Sequence, residues 1–586
     1  MHTTMNVSDQ LLQILTNAGV RRVFGLTGDA LNHFVDAIRR QDKVVWTTVR
    51  HEETAAYAAY AQAALNGRLA VCAGTVGPGA LHLINGLYNA KKERVPVLAI
   101  TGQVPTAQQG TNYFQEVDLK KVFDDVCAYQ AIVRTPEEAP RVIQRAIMIA
   151  LAQNTVCRIE LPADVAAMPA AGEQHISPIP VSDALLVPGD ASLKAAAELI
   201  NASRKPTILA GAGCRAARQA VLELADKLKA PIAHTFRAAD IFDRDTPGVV
   251  GLTGLIGDPA GYHAVMKTDL LIMLGTDFPY DSFLPAGTKV VQVDTRFENI
   301  GNRIPVHAAV HGDAKATAER LIDLVTAKQD DTFRSALSAA FRKWKDNMRQ
   351  DADPTEEHEP LHPQIFARAI DQHADADAIF TIETGTSAIW AVRNISFHGE
   401  RRILGSFNHG SMGVGLPSAI GAQALHPQRE VWALVGDGSF TMGMQDFLTA
   451  VEQKLPIKIL LFNNGELGFV KLEMEEAGLA PQYGALRQFN PDFAAYAKLC
   501  GGDGVRVEHA KDIEAAIVQA KSSKLPFIID AVVSGGELSF PPHISIKEVF
   551  GFGRSKVREA ALAVSGNPDQ WKNLSEEVET TLDRLR

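Results

Sequence analysis

VWALVGDGSFTMGMQDFLTAVEQKLPIKILLFNN, residues 431–464, is the stretch whose reading decides the fold. Its first five residues form an apolar run typical of a strand buried on both faces. The run ends in Gly436-Asp437-Gly438, a helical pattern follows over roughly 441–453, and a second buried strand at 457–464 ends in Asn463-Asn464. This is a βαβ unit, and open α/β sheets hold ligands outside the carboxyl ends of their strands. Two oxygen donors stand there, the Asp437 carboxylate and the Asn464 amide. Magnesium prefers such hard donors and commonly takes one or two of them together with phosphate oxygens. Gly436 and Gly438 let the backbone approach a diphosphate, and the helix that follows turns its positive end to the same place. Gly-Asp-Gly alone is also a common turn; the strand–helix–strand context and the Asn-Asn pair favour the metal–diphosphate reading.

Working outward, the same alternation recurs along the chain. Before residue 182, helices at 8–18 and 54–65 alternate with strands at 23–25, 44–49, 69–75 and 95–101. Pro169, Pro178, Pro180 and Pro188 punctuate an aperiodic linker. A second run carries strands at 206–213, 270–275 and 290–294, and closes on a charged helix at 333–349 and the acidic stretch QDADPTEEHEP. A third carries strands at 378–382, 431–436 and 457–464. The expected fold is therefore α/β, with three doubly wound parallel-sheet domains at 1–182, 183–350 and 351–550 and a tail at 551–586.

Composition narrows the function. The chain has 586 residues and a net charge of -10, which disfavours a nucleic-acid partner. Its five cysteines are scattered without a C-x-x-C pair, so neither a zinc site nor a disulfide framework is expected. The polar N-terminus lacks a signal-peptide core, and no apolar run approaches a membrane span. A cytoplasmic protein is expected, with surface contact to a membrane left open.

With the metal motif in hand, further stretches carry a family resemblance. Gly-Asp-Gly followed by Asn-Asn at the next strand end resembles the signature of thiamine-diphosphate enzymes. The resemblance implies that Asp437, Asn464 and the backbone carbonyl of Glu466 bind magnesium. Gly436, Gly438, Ser439, Leu467, Gly468 and Phe469 would contact the cofactor with them. Arg50-His51-Glu52-Glu53 looks like the family's R-H-E motif, with Glu52 as the carboxylate that activates the aminopyrimidine; on its own it reads better as an acidic helix start, and the magnesium motif turns the balance. GTVGPGALHLINGLYNA, 74–90, resembles the glycine-rich turn of the pyrimidine-binding domain. Gly410, Ser411 and Met412 resemble the thiazolium-contacting segment.

More specific stretches are similar to the quinone-dependent pyruvate oxidases: FGLTGDALN (24–32), YFQE (113–116), GLTGLIG (251–257), GTDFPY (275–280), LGSFNHGSM (404–412) and NNGELGFVKLEME (463–475). Thr253, Gly254, Leu255 and Ile256, with Thr276, Asp277, Phe278, Pro279 and Tyr280, look like that family's FAD-contacting loops. Asp294 ends a strand and could hold a ribose or adenine-side group. Phe114, Gln115 and Glu473 match the substrate side of the catalytic site, and Phe469 an aromatic between thiamine and flavin. The domains would then be pyrimidine-binding, FAD-binding and diphosphate-binding in chain order. The implied reaction is oxidative decarboxylation of pyruvate, or a related 2-oxo acid, to acetate and carbon dioxide through a thiamine-bound enamine, with electrons passing via FAD to a quinone. Glu52 and Asp437 would meet across a subunit interface, in a homodimer at least and typically a homotetramer.

Two features depart from the pattern. Glu383-Thr384-Gly385 stands where Asp-x-Gly is usual. In the tail, Trp571, Leu574, Val578, Leu582 and Leu585 can share a helical face, but the polar face is acidic, whereas helices at membrane surfaces favour basic ones. Docking on a membrane and packing on the protein itself both stay open, there and for residues 555–564. A phosphate-dependent oxidase using oxygen, a carboligase of the acetolactate-synthase kind and a non-catalytic homologue are the alternatives.

Overall fold

The computed structural model describes residues 5–171, 179, 184–353, 359–537, 553–560, 562 and 577. Among the described residues, eighteen strands form three six-stranded sheets in which every pairing is parallel. The expected α/β architecture is observed.

The first sheet holds β1 (Arg22–Leu26), β2 (Val45–Thr48), β3 (Ala70–Gly74), β4 (Val97–Gln103), β5 (Tyr129–Ile132) and β6 (Val156–Pro162), ordered β2-β1-β3-β4-β6-β5. The second holds β7 (Pro206–Ala210), β8 (Ile232–His234), β9 (Val249–Leu252), β10 (Leu270–Leu274), β11 (Lys289–Asp294) and β12 (Ala308–His311), ordered β12-β11-β10-β7-β8-β9. The third holds β13 (Ile379–Ile382), β14 (Arg402–Leu404), β15 (Val431–Gly436), β16 (Lys458–Asn463), β17 (Asp503–Val507) and β18 (Phe527–Val532), ordered β14-β13-β15-β16-β18-β17. The first and third sheets are thus wound identically, and the middle sheet has the order of dinucleotide-binding sheets. In each, the order reverses beside the first strand, opening a crevice at the carboxyl edge: between β1 and β3, β7 and β10, and β13 and β15.

The central strands are buried along their length, as strands covered on both faces must be. The first and third sheets share one core, in which the helix Glu52–Asn66 packs its alanines against Leu416, Ala419 and Ile420 of the helix Gly415–Leu425. The small side chains let the two backbones approach closely: a Cβ on Gly421 would run into the Ala58 carbonyl. Tyr60 fixes the register by donating from its hydroxyl to the Gly405 carbonyl at 2.7 Å.

One local expectation is corrected. The single helix at 441–453 is two short ones, Asp437–Thr441 and Phe447–Glu452, separated by Gly443 and a 3₁₀ turn at Met444–Asp446. Breaking the helix there turns Asp446 inward to bond the neighbouring domain, and it leaves only a short helix to present its positive end beside Asp437.

The domain limits at 182/183 and 550/551 lie outside the described residues, as do Trp571, Leu574, Val578, Leu582 and Leu585. Within 553–560 the chain is helical and lies on the protein: Ser555 Oγ donates to the Leu479 carbonyl at 2.8 Å, and Lys556 pairs with Glu475 and Glu559 at 3.0 Å each. Among the described residues no helix is long and apolar enough to cross a membrane.

Gly421→Ala tests the close approach. The added methyl meets backbone that cannot rotate away, so a loss of about 1 to 3 kcal/mol is expected, read as a lower melting temperature.

Candidate active site

The sharpest cluster lies at the crevice of the third sheet. Asp437, at the end of β15, is 2% exposed. Its Oδ1 accepts the Gly438 amide at 2.8 Å, and its Oδ2 accepts the Gly465 amide at 2.6 Å and Asn490 Nδ2 at 2.7 Å. Burial raises its pKa above the usual aspartate value, and these donors pull it back. No cation faces this carboxylate among the described residues, so a buried negative charge awaits one. The loop after β16 lies against it: a Cβ on Gly438 would sit 2.9 Å from Leu467, and one on Gly468 would sit 3.1 Å from Asn464 Nδ2. Asn464 Oδ1 accepts the Glu466 amide at 3.2 Å. The structure therefore brings together Gly436, Asp437, Gly438, Ser439, Asn464, Glu466, Leu467 and Gly468. The Asp437 carboxylate, the Asn464 amide oxygen and the Glu466 backbone carbonyl offer hard oxygen donors, a set that fits magnesium.

Across the same crevice, β13 delivers Glu383. Its carboxylate, 2% exposed, accepts the Gly413 amide at 3.0 Å and the Gly415 amide at 2.6 Å. Thr384 Oγ1 donates to the Ser411 carbonyl at 2.9 Å. The departure from Asp-x-Gly thus has a structural use: the longer side chain holds the loop that carries Gly410, Ser411 and Met412. Burial pushes the Glu383 carboxyl up to about 7 against the pull of these amides.

The first sheet supplies Glu52 at the start of its helix, where it is 4% exposed. Its Oε2 lies 2.8 Å from His82 Nδ1. Thr75, whose methyl lies at Gly79 as Glu52 Oε1 does, has a buried hydroxyl with no hydrogen-bond partner among the described residues. Gln115 adopts a left-handed backbone (φ 63°) with its carbonyl against Gly77, while Phe114 and Glu473 are exposed. Among the described residues, no hydrogen bond joins the Glu52 side chain to the Asp437 cluster.

The middle sheet opens a cavity of about 500 Å³ at its own crevice. All nine residues of the 253–256 and 276–280 loops line it, with Asp294, and so do Glu383, Thr384, Gly385, Gly410 and Phe469 from the third domain. The loops after β7 and β10 meet closely, since a Cβ on Gly211 would clash with the Gly275 carbonyl. Thr253 lines the cavity, and its hydroxyl is buried without a hydrogen-bond partner among the described residues. Asp294 accepts the Arg296 amide at 2.8 Å and Asn299 Nδ2 at 3.2 Å. Its lining joins charged side chains such as Arg94, Asp277, Asp294 and Arg296 to aromatic ones such as Phe236, Phe407 and Phe469, a composition suited to a ligand with polar and aromatic parts.

Sequence reasoning missed Asn490, Asp446 and the partner of Glu52. His82 lay inside the quoted 74–90 stretch without a role; Asn490 and Asp446 carry no pattern that would mark them, because their partners are remote in sequence.

Glu383 generates a pH prediction. Its folded pKa stands above that of the unfolded chain, so its stabilising contribution is fully present below about pH 4.5 and is lost as pH rises through about 7. Glu383→Gln should flatten the decline of stability across that window, by on the order of a few kcal/mol in total, as measured by chemical denaturation from pH 4.5 to 8.

Comparison with known proteins identifies the family. Three family models match: the N-terminal thiamine pyrophosphate binding domain at residues 5–122, the central domain of these enzymes at 193–321 and the C-terminal binding domain at 383–531. A thiamine pyrophosphate-containing protein of Bacillus subtilis is 36% identical over 93% of this chain and 94% of its own length. A pyruvate oxidase of Lactiplantibacillus plantarum is 30% identical over 90% of this chain and 88% of its own. The acetolactate synthase large subunit of Parasynechococcus marenigrum is also 30% identical, over 92% and 89%. The chain belongs to the thiamine pyrophosphate enzyme family and is a thiamine-diphosphate-dependent enzyme of the decarboxylating kind.

Proposed function

We propose that this enzyme oxidatively decarboxylates pyruvate to acetate and carbon dioxide and passes the electron pair through FAD to a quinone. The observation that carries the reading is the middle-domain cavity, which starts at a dinucleotide-type crevice and is also lined by Phe469 and the 383–385 loop of the diphosphate domain. A flavin held there would lie close to a thiamine ring near Met412. Similarity to a pyruvate oxidase supports it. In the balanced reaction, pyruvate, water and quinone give acetate, carbon dioxide and quinol.

Bound thiamine diphosphate would supply the nucleophilic carbon and electron sink, and bound FAD the two-electron relay. Asp437, Asn464 and the Glu466 carbonyl would hold magnesium against the diphosphate. Met412, on the loop anchored by Glu383, would support the thiazolium. Glu52 would hold and return the proton at the aminopyrimidine, its buried position keeping the exchange away from bulk water. Phe114, Gln115 and Glu473 would line the substrate entrance, where exposed Phe114 awaits a covering surface.

We place the complete site between two chains, as the family resemblance implies, with Glu52 of one chain facing Asp437 of the other; a homodimer is the minimum and a homotetramer our reading. Residues 1–182 would bind the pyrimidine, 183–350 the FAD and 351–550 the diphosphate. A second reading, carboligation of two oxo acids, is favoured by the equal identity to an acetolactate synthase. Contact of the tail with a membrane is part of the proposal only if the quinone is membrane-held.

Product analysis decides between them. With thiamine diphosphate, magnesium, FAD, pyruvate and a soluble quinone, we expect stoichiometric acetate and quinol without added phosphate. Acetyl phosphate with peroxide, or acetolactate, would replace the reading by the corresponding alternative. Glu52→Gln should still bind thiamine diphosphate and lose at least about a hundredfold in kcat; near-wild-type turnover would refute its role.

A further inference from the structure

The Glu52 carboxyl is 4% exposed, and its side chain has one hydrogen-bond partner among the described residues, His82 Nδ1 at 2.8 Å. In the single chain His82 is half open: 46% of its side chain is exposed. A group that gains and loses a proton in every turnover needs a route to water, and burial denies Glu52 a direct one. Imidazole suits that task because it can accept a proton at one nitrogen while releasing one from the other near neutral pH.

The surroundings hold the ring for this use. The His82 ring stacks on His51 with centroids 4.4 Å apart and planes 24° from parallel. His51 is itself fixed as the helix cap, accepting the Glu53 amide at Nδ1 over 3.3 Å. On the other side, Gly79 leaves room for Glu52 Oε1, which lies only 2.9 Å from where a Cβ would stand. The two carboxylate oxygens are thus differentiated: Oε2 is committed to His82, and Oε1 remains for the cofactor. Outside this contact the His82 ring has no further hydrogen-bond partner among the described residues.

We propose that His82 is the proton relay of Glu52, carrying protons between solvent and the buried carboxyl. The inference rests on the reading of Glu52 given above. In the inward direction the Nδ1–H bond breaks and an O–H bond forms on Glu52 Oε2, while Nε2 takes a proton from water. The imidazole stays neutral with its tautomer reversed, one proton has moved inward, and no oxidant or reductant takes part. The outward direction is the reverse. His82 acts through Glu52, so it is a positioning and relay residue and need not touch substrate.

His82→Ala and His82→Gln separate relay from scaffold, because glutamine can still donate to Glu52 but cannot pass a proton through. With the full-length protein, thiamine diphosphate, magnesium, pyruvate and ferricyanide, both variants should bind thiamine diphosphate as the wild type does, by calorimetry. Both should lose at least about tenfold in kcat. Free imidazole should restore His82→Ala in a concentration-dependent way and leave His82→Gln unchanged. In cofactor-free protein labelled with ¹⁵N-histidine, the ring signal absent from His82→Gln should change tautomer in Glu52→Gln. Wild-type kcat in His82→Gln, no imidazole rescue of cofactor-binding His82→Ala, or an unmoved ring signal would each overturn the relay. A fully active Glu52→Gln would instead overturn the role of Glu52 on which it stands.

Discussion

Asp446 is fully buried, and its oxygens collect donors from two domains: the Arg50 amide at 2.7 Å, the Thr54 hydroxyl at 2.8 Å and the Thr449 hydroxyl at 2.9 Å. Burial raises its pKa, and these three bonds oppose the rise. A polar group taken out of water is costly unless every bond is remade, so this joint tolerates little sliding. Arg50 and Thr54 flank Glu52, and Asp446 closes the turn after the short helix that begins at Asp437. One carboxylate therefore sets the start of the helix bearing Glu52 against the domain bearing Asp437. The close alanine–glycine packing at Ala58 and Gly421 and the bond from Tyr57 to Ser411 at 2.6 Å extend the same alignment along the helix.

The three sheets turn this alignment into sites. Each reverses its strand order beside its first strand, and each reversal leaves a crevice where backbone amides and strand-end side chains converge. At the third sheet that crevice holds Asp437 and Glu383, and at the middle sheet it opens the long cavity. The cavity reaches Glu383 and Phe469, so the loop anchored by Glu383 is shared between the flavin side and the thiamine side. A single buried acid thereby constrains both candidate cofactor positions.

Much of this was legible in the sequence, for a physical reason. Strands buried on both faces read as apolar runs, so β3, β4, β7, β10, β15 and β16 stood out. The chemistry at their ends, Asp437, Asn464 and the 253–256 and 276–280 loops, stood out with them. Others did not: the edge strand β5 is half-buried along its whole length and β17 mixes exposed and buried positions, so neither shows a clean period, and the runs of the buried β6 and β18 are interrupted by Arg158, Glu160 and Asp530. The break at Gly443 was invisible because the apolar spacing continues across it, and only the tertiary bonds of Asp446 require it. Asn490 and His82 were unreadable as partners of Asp437 and Glu52, since hydrogen bonds across many residues leave no local trace. The tail's apolar stripe was readable as a face but not as a destination; for residues 553–560 the destination is the protein's own segment around Glu475 and Leu479.

The central claim is that a flavin in the middle-domain cavity takes electrons from pyruvate through thiamine chemistry at the adjoining site. Anaerobic absorbance of the protein-bound flavin, recorded with thiamine diphosphate and magnesium before and after pyruvate is added, tests it most directly. The account predicts that the oxidised flavin band bleaches on adding pyruvate and returns on adding a quinone. Bound flavin that stays oxidised while acetolactate accumulates, or protein that binds no flavin, would contradict it.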